Sequence, residues 1–415
     1  MSHNIPTTAE DFHKELNDLQ IRFKAMNPEM ELTVRDPEMG VEGYVVVWNT
    51  GISKGGVLDG CAKGGTRIMP TLDIEQVSRL SCTMAIKNAA AGLPLGGAKS
   101  GLKADPNSDD YEVKFRRFVE LCAPVLYENG GVWGGFGYDI GGKPPLNAIW
   151  ACSELEDKKI GTDRSFTGKP VDMGGTDYDN EGIAGLGVAV AGKTLLDVRG
   201  KDVKEATFAI QGLGAMGAAV FRYFDEFGGS LKAVSDMALG GTWVFNKEIP
   251  DSLRQSIIGK DFSKTKELLA DVADKISEDV QDVLYQDVDI VFPCAVEDVI
   301  TMENVSKIKA PFISEGANNP TTDDAHIALF KAGKIVIPDV IANPGGIIAA
   351  FIEMTTGTTD EVIRNKTKVI KAKEFTSQKV EENTRKLLGL VDTLKVQPDL
   401  VGDYIAYKNI FYGLK

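Results

Sequence analysis

The chain has 415 residues, 43% of them hydrophobic and 26% charged, with a formal net charge of −14. That is an ordinary globular balance, long enough for two or three domains. The acid excess argues against nucleic acid as the main partner, and no apolar run approaches the roughly 18 residues of a membrane span. Residues 8–30 read as an amphipathic helix and Glu42–Trp48 as a strand. A helix is predicted over 73–91 with Asp73 as N-cap, its inward stripe carrying Val77, Leu80, Met84, Lys87 and Ala91. Another amphipathic helix covers about 111–127. Near 165–175 a glycine-rich text reads as a linker, followed by helix-like sequence to Val198. Strands are then predicted at 206–210, 231–235, 288–292, 311–314 and 334–337 with helices between, the pattern of a parallel doubly wound α/β sheet. The last stretch, 360–415, is helical. Five scattered cysteines without a Cys-x-x-Cys pair, and an N-terminus lacking the features of a secretion signal, predict a cytoplasmic protein. No His, Cys or carboxylate cluster has metal-ligand spacing, so no metal is expected.

Two groups of residues carry chemistry. Lys63, Lys87, Lys99 and Asp139 frame one stretch, and two of the three lysines lie in glycine-rich, apolar sequence where a solvated charge is out of place. Ammonium groups gathered in a dry site hold carboxylates, and crowding with burial can lower one lysine's pKa until it serves as a base. Asp139 would complete an acid/base pair. The second group is Gly212-x-Gly214-x-x-Gly217, with Ala215 and Met216 in the turn, placed between a strand and a helix. Asp236 closes the next strand 19 residues after Gly217. Such glycines let a pyrophosphate approach a helix N-terminus, and the acid suits a ribose 2′-hydroxyl. No Arg or Lys follows Asp236 until Lys247, which favours NAD, with NADP possible.

Taken together these segments resemble the glutamate/leucine/phenylalanine/valine dehydrogenase family. The likeness runs from about Gly43 to Glu353 and includes Lys63-Gly-Gly-Thr-Arg67, 84–99, Thr167-Gly-Lys-Pro170, 315–322 and 337–346. The resemblance implies NAD(P)-dependent, reversible conversion of an L-amino acid to a 2-oxo acid and ammonia. It implies two domains with a cleft between them, and a homo-oligomer, a hexamer in the glutamate branch. The boundaries expected are 1–170 for substrate binding and oligomerisation, 171–355 for the dinucleotide, and 356–415 for helices packing back toward the first domain. By the same resemblance Lys87 holds the substrate α-carboxylate and Lys99 activates the water that adds to the imine. Asp139 shuttles the amino-group proton, Lys63 binds a side-chain carboxylate, and Asn318 and Asn343 lie beside the nicotinamide ribose.

The pattern also departs from the family. Ala350 stands in the substrate pocket where the glutamate branch usually has a serine, and 176–185 replaces the usual segment near the nicotinamide amide. Glutamate is the expected substrate because of Lys63; a neutral aliphatic amino acid (leucine or valine) is the alternative, and a non-catalytic nucleotide sensor a third reading. A 2-hydroxy-acid dehydrogenase needs a histidine acid/base, and His3, His13 and His326 lie in no glycine-rich motif. His326 is expected on the surface of a polar helix, and Glu315 is expected to be structural.

Overall fold

The computed structural model describes residues 5–126, 130–356 and 361–414, with backbone alone for 361–366. It divides into two compact units. One comprises 15–181, 347–374 and 403–415; the other comprises 1–14, 182–346 and 375–402.

The first unit is built on a five-stranded sheet of β1 (Met30–Asp36), β2 (Val41–Val47), β3 (Ala62–Lys63), β4 (Thr66–Ile68) and β5 (Gly96–Leu102). Its order is β1-β2-β5-β3, with β4 also paired to β5. β1 and β2 form an antiparallel hairpin, β2 is antiparallel to β5, and β3 and β4 run parallel to β5. Helix α1 (Ala9–Lys24) precedes the sheet and ends earlier than the sequence predicted, because Met30 begins β1. Helix α2 (Ile74–Ala90) opens on Asp73, whose side chain accepts from the Gln76 N–H while Gln76 reaches back to the Asp73 N–H. This capping box satisfies two otherwise orphan donors. The face α2 turns inward carries Val77, Ser81, Ala85 and Asn88. The predicted stripe through Leu80, Met84 and Lys87 is therefore displaced, and those three are only half-buried. Glycines explain the shift. The α2 backbone at Ala85 lies so near β5 that a Cβ on Gly97 would meet it at 2.3 Å, so small side chains must face the sheet.

On the other side of the sheet, α3 (Tyr111–Cys122) and α4 (Leu146–Asp157) pack together. Between them a short parallel pair, β6 (Phe136–Gly137) with β7 (Phe166–Thr167), follows a turn rich in glycine. Phe136 is fully buried, with its ring centroid 4.7 Å from that of Trp133 and 5.7 Å from that of Phe118. This aromatic anchor fixes the chain three residues before Asp139; truncating such a ring typically costs about 3–5 kcal/mol. After the one-turn helix α5 (Thr162–Ser165), the segment expected as a linker is instead a buried part of this unit. Lys169 and Glu353 form a buried ion pair at 2.7 Å, and Glu353 also accepts from Gly168 N, Thr176 N and Thr176 Oγ1.

The second unit holds a seven-stranded sheet. Its strands are β8 (Thr207–Gln211), β9 (Ser230–Asp236), β10 (Gly241–Phe245), β11 (Ala273–Ser277), β12 (Ile290–Pro293), β13 (Phe312–Ser314) and β14 (Ile335–Ile337). The order is β11-β10-β9-β8-β12-β13-β14. Five strands, β9-β8-β12-β13-β14, are parallel, the five that periodicity picked out. β10 and β11 add antiparallel at one edge and were not anticipated. Helix α6 (Ile183–Val198) packs on α7 (Ala215–Glu226). Then come α8 (Asp251–Ile258), α9 (Phe262–Val272), α10 (Asp323–Lys331) and α11 (Asp339–Ala342). Phe208, Phe224 and Phe292 form an edge-on trio in the core. The chain finishes with α12 (Gly345–Thr355), α13 (Glu361–Leu394) and α14 (Pro398–Tyr412), as the helical reading of the C-terminal stretch expected; residues 357–360 lie outside the described residues. Among the described residues no helix is long and apolar enough to cross a membrane.

Candidate active site

In the first unit β5 is the platform. Lys99 lies in its middle, opposite Val46 of β2, and Arg67 on β4 stands opposite Gly101. Asp139 follows β6. Its Oδ2 accepts from Arg67 Nε at 2.7 Å and lies 2.9 Å from Lys99 Nζ. Glycine makes this convergence possible: a Cβ on Gly65 would stand 2.4 Å from the Tyr138 carbonyl oxygen and 3.1 Å from Asp139 Cβ. Gly65 is thus the point at which the chain entering β4 meets the Asp139 segment, while Gly64 lies against Ala98 of β5. Burial by itself would raise the Asp139 pKa, but the Lys99 and Arg67 charges outweigh it and hold the carboxyl below its usual range. The result is an ionised carboxylate next to a lysine that is only 6% exposed.

The other predicted substrate residues fare differently. Lys87 is half-buried near the end of α2, and Ala350 is buried in α12, where its methyl offers no hydrogen bond. Lys63, expected to grip a substrate side chain, is 1% exposed, and its ammonium donates to the carbonyls of Gly134 (2.6 Å), Gly135 (2.9 Å) and Phe136 (2.7 Å). An ammonium has three N–H groups, so none remains for a carboxylate. Burial pushes its pKa down to about 7, against the pull of Cys61 and Glu353. The correction is physical: three turn carbonyls facing inward need donors, and Lys63 supplies them. Sequence reading assigned no role to Arg67, Lys169 or Glu353. Arg67 ends the motif Lys63-Gly-Gly-Thr-Arg67, and its signal is the same as that of the lysines, a cation in glycine-rich sequence.

In the second unit β8 leads into Gly212 (φ +83), and α7 starts at Ala215 with Gly214 as N-cap and no side-chain cap. A Cβ on Gly217 would lie 1.8 Å from the Gly212 carbonyl oxygen, so only glycine lets α7 begin this close to the strand. By contrast a Cβ on Gly214 would meet nothing within 4 Å. Gly214 and Ala215 are exposed and Met216 is half-buried, leaving the helix N-terminus open. Asp236 Oδ2 accepts from Leu213 N–H at 2.8 Å and Oδ1 from Ala238 N–H at 2.8 Å, so the acid braces the glycine turn. Asn343 Nδ2 donates to the carbonyls of Gly316 and Ala317 and to Asn318 Oδ1, while its buried Oδ1 has no partner among the described residues. Asn318 itself is exposed. An open helix N-terminus, a braced acid at the end of the next strand and an orphan amide oxygen fit a dinucleotide.

Behind the asparagines, His326 corrects another expectation. It is 7% exposed, because α10 turns Ala325, His326 and Leu329 toward the core. Its Nε2 lies 3.4 Å from Glu315 Oε1, and Glu315 Oε2 accepts from Asp339 N–H.

The fold defines an α/β oxidoreductase with a dinucleotide-binding sheet in one unit and a lysine–aspartate contact in the other. Two family models cover most of it: "Glutamate/Leucine/Phenylalanine/Valine dehydrogenase" over residues 174–393 and "Glu/Leu/Phe/Val dehydrogenase, dimerisation domain" over 28–132. The chain is 32% identical to a glutamate dehydrogenase of Aeropyrum pernix over 94% of this chain and 91% of that one. It is 32% identical to an NADP(+)-dependent glutamate dehydrogenase of Pyrobaculum calidifontis, over 83% and 79% respectively. In fold it is similar to the hetero-hexameric glutamate dehydrogenase of Thermus thermophilus, with a TM-score of 0.72 and 22% identity over 99% of this chain and 97% of that one. The chain belongs to the glutamate/leucine/phenylalanine/valine dehydrogenase family, whose members oxidise an amino acid at its CH–NH2 group with NAD or NADP.

Proposed function

We propose that the protein catalyses the reversible, NAD(P)-dependent oxidative deamination of L-glutamate to 2-oxoglutarate and ammonia. The observation that carries the reaction is the 2.9 Å approach of Lys99 to Asp139. The choice of glutamate is supported by the curated relatives, both named glutamate dehydrogenases. When bound, the nicotinamide supplies an acceptor for the hydride leaving the substrate α-carbon.

The chain's own residues move the protons. Asp139, ionised, takes the proton from the substrate ammonium so that the nitrogen lone pair can expel hydride and form the iminium. Neutral Lys99 takes a proton from the water that adds to the iminium carbon. Asp139 then returns its proton to the amino group; the hydroxyl oxygen becomes the carbonyl as the C–N bond breaks, its proton passes to the departing ammonia, which leaves as ammonium, and Lys99 gives the proton it took from water to solvent. Each positioned acid/base group commonly contributes about two to four powers of ten. Lys87 is assigned to the substrate α-carboxylate. Lys63 is not assigned to the substrate, and a different group must meet the side-chain carboxylate. Gly212, Gly214, Ala215, Met216 and Gly217 would hold the pyrophosphate, Asp236 the adenosine ribose, and Asn318 and Asn343 the nicotinamide ribose. Asp236, followed by the exposed Met237 rather than a cation, supports NAD as the preferred cofactor. The oligomer is read as a hexamer, in line with the hexameric relative, and the compartment as the cytoplasm, where five free thiols persist.

The test is a panel of 2-oxo acids with ammonia and NADH or NADPH. Turnover of 2-oxoglutarate far above that of the leucine and valine oxo acids is expected. Preference for the aliphatic acids would move the substrate to the neutral class, and no turnover with any acid would refute the reading.

A further inference from the structure

Asp139 has one more cation than an acid–base pair with Lys99 needs. Arg67 and Lys99 both address Oδ2, and Oδ1 makes no hydrogen bond among the described residues. The two cations are chemically unlike. A lysine can surrender its proton, whereas arginine stays charged throughout the working pH range. Arg67 is only 19% exposed, and its strand is tied to β5 by Thr66 and Ser100, whose hydroxyls lie 2.9 Å apart. The strand that carries Arg67 is therefore held by the sheet, and its guanidinium bonds Asp139 and does not trail into solvent. The charged groups facing Asp139 are Lys99 from β5 and Arg67 from β4. Lys143, on Asp139's own loop, lies over the Tyr111 ring at 5.2 Å.

We propose that Arg67 is a positioning residue that gives Asp139 a permanent counter-charge. It anchors the carboxylate through Oδ2 and presents Oδ1 to the substrate amino group whether or not Lys99 carries its proton. The inference rests on the reading above that Asp139 moves the amino-group proton. Without Arg67, whenever Lys99 is neutral the half-buried carboxylate loses both of the cations that hold it among the described residues. It then draws Lys99 back to its charged form or takes up a proton itself, and either event stalls turnover. The burial that raises the Asp139 pKa would be opposed by one charge in place of two.

The experiment is the pH dependence of glutamate deamination by the full-length protein and by Arg67→Gln and Arg67→Lys, with melting temperatures recorded for each. Arg67→Gln is expected to lose about ten- to a hundredfold in kcat, with glutamate KM changed less than about threefold. The acid limb of its kcat profile should move to higher pH by about half a unit or more, and added guanidinium ion should restore part of the rate. Arg67→Lys keeps a charge and should keep the wild-type limb. An unmoved limb in a folded Arg67→Gln overturns the proposal, as does a raised KM with kcat preserved, which would place Arg67 on the substrate. Should Arg67→Gln not fold, a limb displaced in Arg67→Lys overturns it and an unmoved limb with a reduced kcat supports it. Asp139→Asn separates the two readings. If it is inactive while Arg67→Gln behaves as wild type, only this inference fails; if it retains wild-type kcat, the acid–base reading fails with it.

Discussion

The buried pair of Lys169 and Glu353 makes the sharpest stability prediction. Both side chains are at most 2% exposed. Glu353 accepts four hydrogen bonds, from Lys169 Nζ at 2.7 Å, Gly168 N at 3.0 Å, Thr176 N at 3.0 Å and Thr176 Oγ1 at 2.9 Å. Through them it ties α12 to the segment that runs from β7 to the start of the altered stretch 176–185. Replacing Glu353 by Gln keeps the shape but removes the counter-charge, leaving the Lys169 ammonium buried. Breaking such a pair on one side costs about 3–5 kcal/mol. In a unit of roughly 200 residues each kcal/mol moves the melting temperature by about 2–4 °C, so Glu353→Gln should melt roughly 6–20 °C below wild type. The assay is thermal unfolding followed by circular dichroism. The double variant Lys169→Met/Glu353→Gln removes both charges and should recover at least half of the loss, because the neutral pair leaves no isolated charge in the interior. A Glu353→Gln protein melting within about 2 °C of wild type, or a double variant no more stable than the single, would refute the reasoning.

Other perturbations test other links. Lys63→Met should lower the melting temperature, because three buried carbonyls lose their donors at about 1–3 kcal/mol each, while glutamate KM stays within about threefold; a tenfold rise in KM in a stable variant would show that the ammonium leaves the carbonyls for substrate. Asp236→Ala removes one hydrogen bond from the glycine turn, that from Leu213 N–H, and one from the turn after β9, that from Ala238 N–H, and should weaken dinucleotide binding about fivefold, at roughly 1 kcal/mol for the bond lost from the glycine turn, as read by titration of protein fluorescence; unchanged affinity would remove Asp236 from the cofactor site. At His326, burial alone would lower the pKa, but Glu315 outweighs it and holds it above the usual 6.5. The stabilisation this gives is fully present below pH 6.5 and is lost as pH rises through the folded value. The urea midpoint advantage of wild type over His326→Gln should therefore shrink as pH rises above 6.5; a constant or growing advantage would contradict the assignment.

The sequence was most legible where one physical rule dominates. The five parallel strands are short apolar runs, and they stand where periodicity placed them. Gly217 was legible because helix-to-strand proximity admits no Cβ there, and the Lys99–Asp139 pair because charge in apolar text needs a partner. What failed depended on tertiary neighbours. The α2 stripe shifted because Gly97 brings the helix close enough to β5 that Ser81 and Ala85 face the sheet and Leu80 and Met84 turn aside. His326 looked like a surface residue from its acidic neighbours Asp323 and Asp324, yet its position in α10 faces the buried Glu315. Lys63 was misread because the carbonyls that claim it belong to a turn 71 to 73 residues away. The residues 165–175, read as a linker, gave no local sign that Glu353, 184 residues after Lys169, would fix Lys169 in the interior. β10 and β11 form an antiparallel edge whose pairing follows from the sheet already present.

Lys99 is the residue on which turnover depends most directly under the proposed mechanism. Glutamate-dependent reduction of NAD or NADP should be measured for wild type and Lys99→Ala, with melting curves confirming that both are folded. Robust turnover by wild type and a loss of about two to four powers of ten in kcat for the variant are expected. A folded Lys99→Ala that turns glutamate over at the wild-type rate would contradict the mechanism.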